Sequence, residues 1–122
     1  SASNTSFGLA TGIASWCSGC SDDMFMLWAC GYDSDWRLVG VLQHPGIWEH
    51  HVLKYDGTTA YWYVNGARLS TTFAHTYQTA DGTVAVGGFP STVLPNADID
   101  DIRIYNRALT DQEIAALYAE QP

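Results

Sequence analysis

Cationic side chains are scarce in this 122-residue chain, which has one lysine, Lys54, and four arginines against 13 Asp+Glu, for a formal net charge of −8. The arginines are scattered, so no basic patch can hold a polyanion, and we expect no binding to nucleic acid. Apolar runs are also short, and none approaches the roughly 20 residues that a membrane-spanning helix needs. Because the chain begins at Ser1 without a methionine or a leader-like segment, we expect either a removed signal or an excised piece.

Glutamate is rarer still, with Glu49, Glu113 and Glu120 as the complete set. Glycoside hydrolysis needs a pair of carboxylates on either side of the scissile bond, and these three are not spaced for that role. Asp98 and Asp100 fall on one face of a predicted strand, but a structural or solvated role explains them better than acid–base catalysis. A Gly-x-Ser-x-Gly nucleophile motif is also missing. We therefore expect that the protein is not an enzyme.

Cysteine is limited to Cys17, Cys20 and Cys30. A zinc site needs a fourth ligand, which His44 or His75 would supply only at irregular spacing. A redox Cys-x-x-Cys normally opens a helix after a strand, whereas loop-forming residues flank this one. Reduced thiols in a core are a further alternative. The wealth of Thr, Ser, Gly and Trp is typical of extracellular proteins, so we expect one disulfide and one cysteine left over, which could join two chains.

The remaining composition is that of a folded chain, with 47% hydrophobic, 13% aromatic and 15% charged residues. Its length fits a single domain spanning residues 1–122. Short β-prone segments at intervals of roughly 8–12 residues, separated by Asp-Gly and Asn-Gly turns, predict an antiparallel sandwich. The predicted strands cover residues 25–29, 36–42, 47–55, 59–64, 67–73, 83–86 and 97–105.

A helix is predicted at residues 111–119, near the carboxyl end. Thr110 and Glu113 have the spacing of a capping box, in which each side chain accepts from the other residue's backbone N–H. Leu109 and Ile114 flank this box as a hydrophobic staple. The side chains expected on the buried face of the helix are Ile114, Leu117 and Tyr118.

Three segments in order carry a resemblance to a known family: Trp-Glu-His-His-Val-Leu-Lys-Tyr-Asp-Gly at 48–57, Tyr-Val-Asn-Gly at 63–66, and Ala-Asp-Ile-Asp-Asp-Ile-Arg-Ile-Tyr at 97–105, which leads into the capped helix. Residues 47–119 resemble a laminin-G-like domain of the concanavalin A-like lectin/glucanase superfamily. The resemblance implies an all-β antiparallel jelly-roll sandwich, here shortened, with a short C-terminal helix. Since the chain is short for this family, we expect a pruned sandwich, or one completed by a neighbouring chain through open sheet edges.

Oxygen donors are concentrated before the last predicted strand, at Asn96, Asp98 and Asp100. Carboxylate and amide oxygens are the ligands that calcium prefers. In the alternative interpretation one aspartate caps a turn and the others are solvated. The family resemblance implies a structural calcium ion held through Asp100, and we expect Asp98 and Asn96 to contribute.

Aromatic residues are numerous, with five tryptophans and seven tyrosines. Strand register and the family pattern place Trp48 and Trp62 in the core. Tyrosines next to Trp62 face the opposite way and are candidates for an exposed surface, which would suit either a sugar ring or a protein partner. Two further aromatics flank the predicted turn at 33–35. The candidate ligand-binding residues are therefore Tyr61, Tyr63, Tyr32 and Trp36.

These observations favour a secreted or cell-surface, non-catalytic adhesion module whose partner is a glycan or an extracellular protein. The alternative is a structural subunit of an extracellular filament, surface layer or virion shell, assembled through open sheet edges or the odd cysteine.

Overall fold

The computed structural model describes residues 6–10, 24–30, 36–74, 86 and 97–120. These residues form six strands, one helix and two compact units. Of the described residues, 6–45, 86 and 97–102 fall in the first unit, and 46–74 and 103–120 in the second. No helix in this part of the chain is long and apolar enough to cross a membrane.

The first unit contains an antiparallel sheet of three strands in the order β1-β2-β3. The strands are β1 (Ser6–Ala10), β2 (Met24–Cys30) and β3 (Trp36–Leu42). A register shift between Phe25 and Met26 marks a bulge in β2 where it pairs with β3. The strands predicted at 25–29 and 36–42 are confirmed, whereas β1 was not predicted. The predicted turn at 33–35, Cys17 and Cys20 lie outside the described residues.

The second unit contains an antiparallel sheet in the order β4-β5-β6. Its strands are β4 (His51–Tyr55), β5 (Thr59–Val64) and β6 (Ala67–Ala74). The strand predicted at 59–64 is confirmed, and the one predicted at 67–73 is one residue longer. The strand predicted at 47–55 begins only at His51, after a turn in which Gly46 has φ +81°.

The β5–β6 hairpin closes through Asn65 and Gly66, as their sequence predicts. Asn65 has φ +52° and Gly66 has φ +80°, the left-handed values that the two central residues of a type I′ turn require. The backbone N–H of Asn65 donates to the His50 carbonyl at 2.8 Å, and the His50 N–H donates to Asn65 Oδ1 at 2.9 Å. Asn65 therefore also fixes the entry to β4.

Side chains alternate between the two faces of this sheet. Trp62 and Ala60 are fully buried on one face, which confirms the prediction for Trp62. The prediction for Trp48 is wrong, because its solvent-exposed fraction is 69%. The alternation that predicted its burial holds only along a paired strand, and Trp48 precedes the first paired residue of β4.

The helix α1 (Asp111–Ala119) has the predicted bounds, and its capping box is formed in both directions. Ile114 and Leu109 are buried with Tyr63 in one apolar cluster, against which Leu117 packs. Tyr118 is partly exposed, contrary to the expected burial. Its ring stacks on His50 at a centroid distance of 6.1 Å.

The strand predicted at 97–105 is not found, since no residue of this described segment belongs to a sheet. Asp101 has φ +51°, a left-handed conformation that interrupts an extended chain. Its N–H donates to Asp100 Oδ1 at 2.8 Å. Ile102 and Ile104 are consequently exposed, although their alternation with polar residues is typical of a half-buried strand.

Candidate functional site

The face of the second sheet opposite Trp62 carries a connected group of polar and aromatic side chains. Cross-strand pairing places Lys54 opposite Tyr61 and Tyr63 opposite Arg68, on the same face because side chains alternate along each strand. The β4–β5 turn and the first residue of α1 each add an aspartate to the group. We call this group the Tyr61 surface, and its members are Lys54, Asp56, Tyr61, Tyr63, Arg68 and Asp111.

Tyr63 lies at the centre of the Tyr61 surface and beneath α1. Its hydroxyl donates to Asp111 Oδ1 at 2.6 Å, and Lys54 Nζ donates to the Tyr63 oxygen at 3.2 Å and to Asp111 Oδ1 at 3.1 Å. The sequence predicts that Tyr63 belongs to an exposed aromatic surface. This prediction is wrong, because the solvent-exposed fraction of Tyr63 is 1%. Tyr63 is buried because α1 covers this face and packs Ile114 against the ring.

The ionisation of this trio is fixed near neutral pH. Burial raises the pKa of Tyr63, and its bond to Asp111 acts in the same direction. Burial lowers the pKa of Lys54, but hydrogen bonds to Asp111 and Tyr63 outweigh it and leave the pKa raised. The same bonds from Tyr63 and Lys54 lower the pKa of Asp111. The trio therefore holds a neutral phenol between a cation and a carboxylate, and fastens the first turn of α1 to the sheet.

Tyr61 is half-buried at the edge of this trio, and the Asp56 carboxylate holds its position. The Tyr61 hydroxyl donates to Asp56 Oδ2 at 3.1 Å, while Oδ1 accepts the N–H groups of Thr58 and Thr59, both at 2.9 Å. These backbone bonds lower the pKa of Asp56 to about 2. The Arg68 guanidinium lies 5.7 Å from the centroid of the Tyr61 ring. The turn thus keeps the ring in one orientation.

The outer rim of the Tyr61 surface is accessible to solvent. The side chains of Arg68 and Asp111 are 52% and 59% exposed, and their nearest charged atoms are 4.0 Å apart. Arg68 offers hydrogen-bond donors and Asp111 offers acceptors. The rim therefore presents both kinds of hydrogen-bonding group next to an aromatic ring.

A second polar group lies on the opposite face of the sheet. Trp62 Nε1 donates to His51 Nδ1 at 3.1 Å, and His51 Nε2 is 3.6 Å from Glu49 Oε2. Burial lowers the pKa of His51, although Glu49 opposes the effect. The neutral imidazole then carries its proton on Nε2 and uses its lone pair for Trp62. This arrangement leaves the imidazole without a free basic nitrogen, so it is unsuited to general-base catalysis.

Of the other predicted site residues, the structure describes Asp98, Asp100 and the backbone of Trp36. Tyr32 and Asn96 lie outside the described residues, and Trp36 begins β3 with a side chain that is not described. Asp98 and Asp100 are exposed and belong to the first unit. Among the residues described by the structure, no three His, Cys, Asp or Glu side chains are grouped to hold a metal ion.

Four members of the Tyr61 surface were not predicted from the sequence: Lys54, Asp56, Arg68 and Asp111. Two of them carried a usable signal. Alternation along β4 places Lys54 on the tyrosine face, and the two-residue Asn-Gly turn sets Arg68 opposite Tyr63. Asp111 had none, because it reaches Lys54 across 57 positions of chain.

Comparison with known proteins agrees with the laminin-G-like resemblance. A laminin-G family model, described as the concanavalin A-like lectin/glucanases superfamily, matches residues 4–115. This family has the antiparallel jelly-roll sandwich fold, in keeping with the antiparallel sheets and the one short helix found among the described residues. No curated protein sequence matches the chain.

Among solved structures, an S-layer domain-containing protein from Clostridium thermocellum is similar to this chain, with a TM-score of 0.51 and 23% sequence identity. The match covers 80% of this chain and 52% of the other, so the chain spans about half the length of that structure. At this identity the likeness concerns the fold. The family match extends over nearly the entire sequence, and on that ground the chain belongs to the concanavalin A-like lectin/glucanases superfamily.

Proposed function

We propose that this chain is a non-catalytic module that binds carbohydrate outside the cell or at the cell surface. The observation that carries the proposal is the rim of the Tyr61 surface, where exposed Arg68 and Asp111 flank a tyrosine ring fixed by Asp56. An acceptor and a ring that are already held in place lower the entropy cost of binding a polyhydroxylated ligand, and Arg68 adds a donor.

The environment of the glutamates supports a non-catalytic role. A glycosidase acid needs a raised pKa so that it is protonated near neutral pH. Bonds from Arg107 and Thr110 instead lower the pKa of Glu113 to about 2. Glu120 pairs with Arg103 at 3.1 Å, and Glu49 faces His51. Each glutamate thus faces a basic side chain of the same unit.

Binding to a glycan array, followed by calorimetry on the best glycan, tests the proposal. Arg68→Ala removes the exposed donor and should weaken binding about tenfold, as loss of one charged hydrogen bond does. Tyr61→Ala should weaken it further. Tyr63→Ala is unsuitable for this purpose, because it would open the core beneath α1. Trp48→Ala, which removes an exposed ring outside the Tyr61 surface, is the control. If no glycan binds, or if Arg68→Ala and Tyr61→Ala bind like wild type, the proposal is wrong.

A structural subunit of a surface assembly is the second candidate. Two observations favour it: Ile47 and Trp48 are consecutive apolar residues that are both largely exposed, and the similar solved structure is named an S-layer domain-containing protein. Large exposed apolar groups often mark contacts between proteins. This alternative expects high-order oligomers by light scattering, partly dispersed by Trp48→Ala or by reductant. A monomer at high concentration excludes it.

A further inference from the structure

A groove of about 210 Å³ lies between α1 and the segment that precedes it. It is separate from the Tyr61 surface and shares none of its residues. We call it the Tyr105 groove, and its principal lining residues are Tyr105, Arg107, Leu109, Glu113, Leu117 and Glu120.

One side of the Tyr105 groove is apolar. Leu109 is buried and Leu117 half-buried, and both belong to the cluster beneath α1. Tyr105 keeps 44% of its surface exposed, so its ring is available to a ligand. A flat ring next to fixed aliphatic carbons suits the C–H face of a sugar ring, which is itself apolar and nearly flat.

The polar side of the groove has hydrogen-bonding groups but little net charge. Both terminal nitrogens of Arg107 donate to Glu113, at 2.9 Å and 2.8 Å. At the other end of α1, Arg103 donates to Glu120 at 3.1 Å. Each guanidinium is therefore balanced by a carboxylate. A charged ligand would gain little from these balanced pairs, whereas a hydroxyl group can accept from a guanidinium or donate to a carboxylate.

We propose that the Tyr105 groove binds a single ring of an uncharged carbohydrate. The proposal rests on the proposed carbohydrate-binding function and adds a second place of contact with its own ligand class. The volume supports a single ring, because pockets for drug-sized ligands measure about 300–1,000 Å³. A glycan long enough to reach both places would gain avidity from the two contacts.

The test is an NMR titration of the isotope-labelled protein with three neutral probes at millimolar concentration: the methyl glycosides of glucose, galactose and mannose. At least one should shift the resonances of Tyr105 and Leu117. Tyr105→Ala should weaken that binding about 5- to 10-fold through loss of the ring contact, and Tyr105→Phe should preserve it. The absence of shifts with all three probes, or unchanged affinity in Tyr105→Ala, overturns the proposal.

The preference of the Tyr105 groove for uncharged ligands is tested separately. Glu120→Gln removes one negative charge from the lining of the groove, so the variant should gain affinity for glucuronate, which wild type binds more weakly than the neutral glycosides. Equal affinity of wild type for glucuronate and the neutral glycosides overturns the assignment to uncharged ligands.

The two proposals fail in different ways. If a polysaccharide binds and loses affinity in Arg68→Ala but never shifts Tyr105, the groove proposal is wrong and the Tyr61 surface stands. If the glycosides shift Tyr105 and Arg68→Ala has no effect on any glycan, the Tyr61 surface is wrong and the groove stands.

Discussion

Position 66 requires glycine for two reasons. It has φ +80°, and a Cβ atom placed there would lie 3.1 Å from Cδ1 and 3.2 Å from Cβ of Tyr118. The turn therefore needs glycine for its backbone conformation, and the contact with Tyr118 needs it for space.

Gly66→Ala should lower the free energy of unfolding by more than the about 1–2 kcal/mol that a left-handed alanine costs. Gly46→Ala is the matched control, because Gly46 has φ +81° and no atom within 4 Å of an added Cβ. Urea denaturation of both variants separates backbone strain from crowding. Equal losses would mean that Tyr118 moves aside freely.

His51 should make stability dependent on pH. Because burial lowers its pKa in the folded chain below the ordinary 6.5, the unfolded chain takes up the proton first as the pH falls. Its contribution to stability is therefore present above about pH 6.5 and decreases as the pH falls through the folded-state pKa. Protonation also places a hydrogen on Nδ1, where Trp62 donates, so the Trp62 bond is lost.

Urea denaturation between pH 7 and pH 5 measures this effect. His51→Gln should flatten the dependence of the unfolding free energy on pH, since glutamine keeps an acceptor for Trp62 without titrating. The same slope in wild type and His51→Gln would assign the pH dependence to other groups.

At the scale of elements, α1 depends on its neighbours. Nine residues do not hold a helix in water, so stability must come from the capping box and from docking on Tyr63. Thr110→Ala removes the cap bond to Glu113 and should cost about 1 kcal/mol. Ile114→Ala leaves a cavity at a fully buried position and should cost about 2–5 kcal/mol.

Chemical denaturation, with the helical signal followed by circular dichroism, gives both values. Ala115→Gly, at an exposed position of the same helix, should cost about 1 kcal/mol through helix propensity alone. An Ile114→Ala protein no less stable than Ala115→Gly would show that the helix is not docked on the sheet.

The elements that could be predicted well from the sequence are those whose formation depends on residues close together in the chain. The capping box and the Asn65-Gly66 turn each depend on residues within three or four positions, so α1 and the β5–β6 hairpin could be predicted. The segment 97–105 alternates like a strand, but strand formation also requires a partner and a backbone free of left-handed residues, and Asp101 is left-handed. Tyr63 alternates as expected, but its burial depends on a helix that begins 48 positions later. Contacts that distant leave no trace in a local pattern.

At the scale of the whole molecule, thermal stability reports any ion that binds only the folded chain. The calcium ion implied by the family remains a proposal, and it depends on Asp100. If it is correct, EDTA should lower the melting temperature and added calcium should restore it. Asp100→Asn should abolish this response.

Asp101→Asn is the matched control for that experiment. It makes the same change in charge one residue away, and asparagine tolerates the positive φ of this position. Its response to calcium should equal that of wild type. Identical melting temperatures of the wild-type protein in EDTA and in millimolar calcium would show that the proposed calcium site is wrong.

The helix α1 follows the three strands that it covers, and this order affects the chain while it is still bound to the ribosome. Translation completes β4, β5 and β6 before it reaches α1. Until α1 is synthesised, no helix covers Tyr63. During that interval the open aromatic face is available to chaperones and proteases. A chain arrested before Thr110 leaves the exit tunnel should be cleaved faster within β4–β6 than one arrested after α1 has emerged. The emergence of α1 thus sets the time at which this sheet becomes protected.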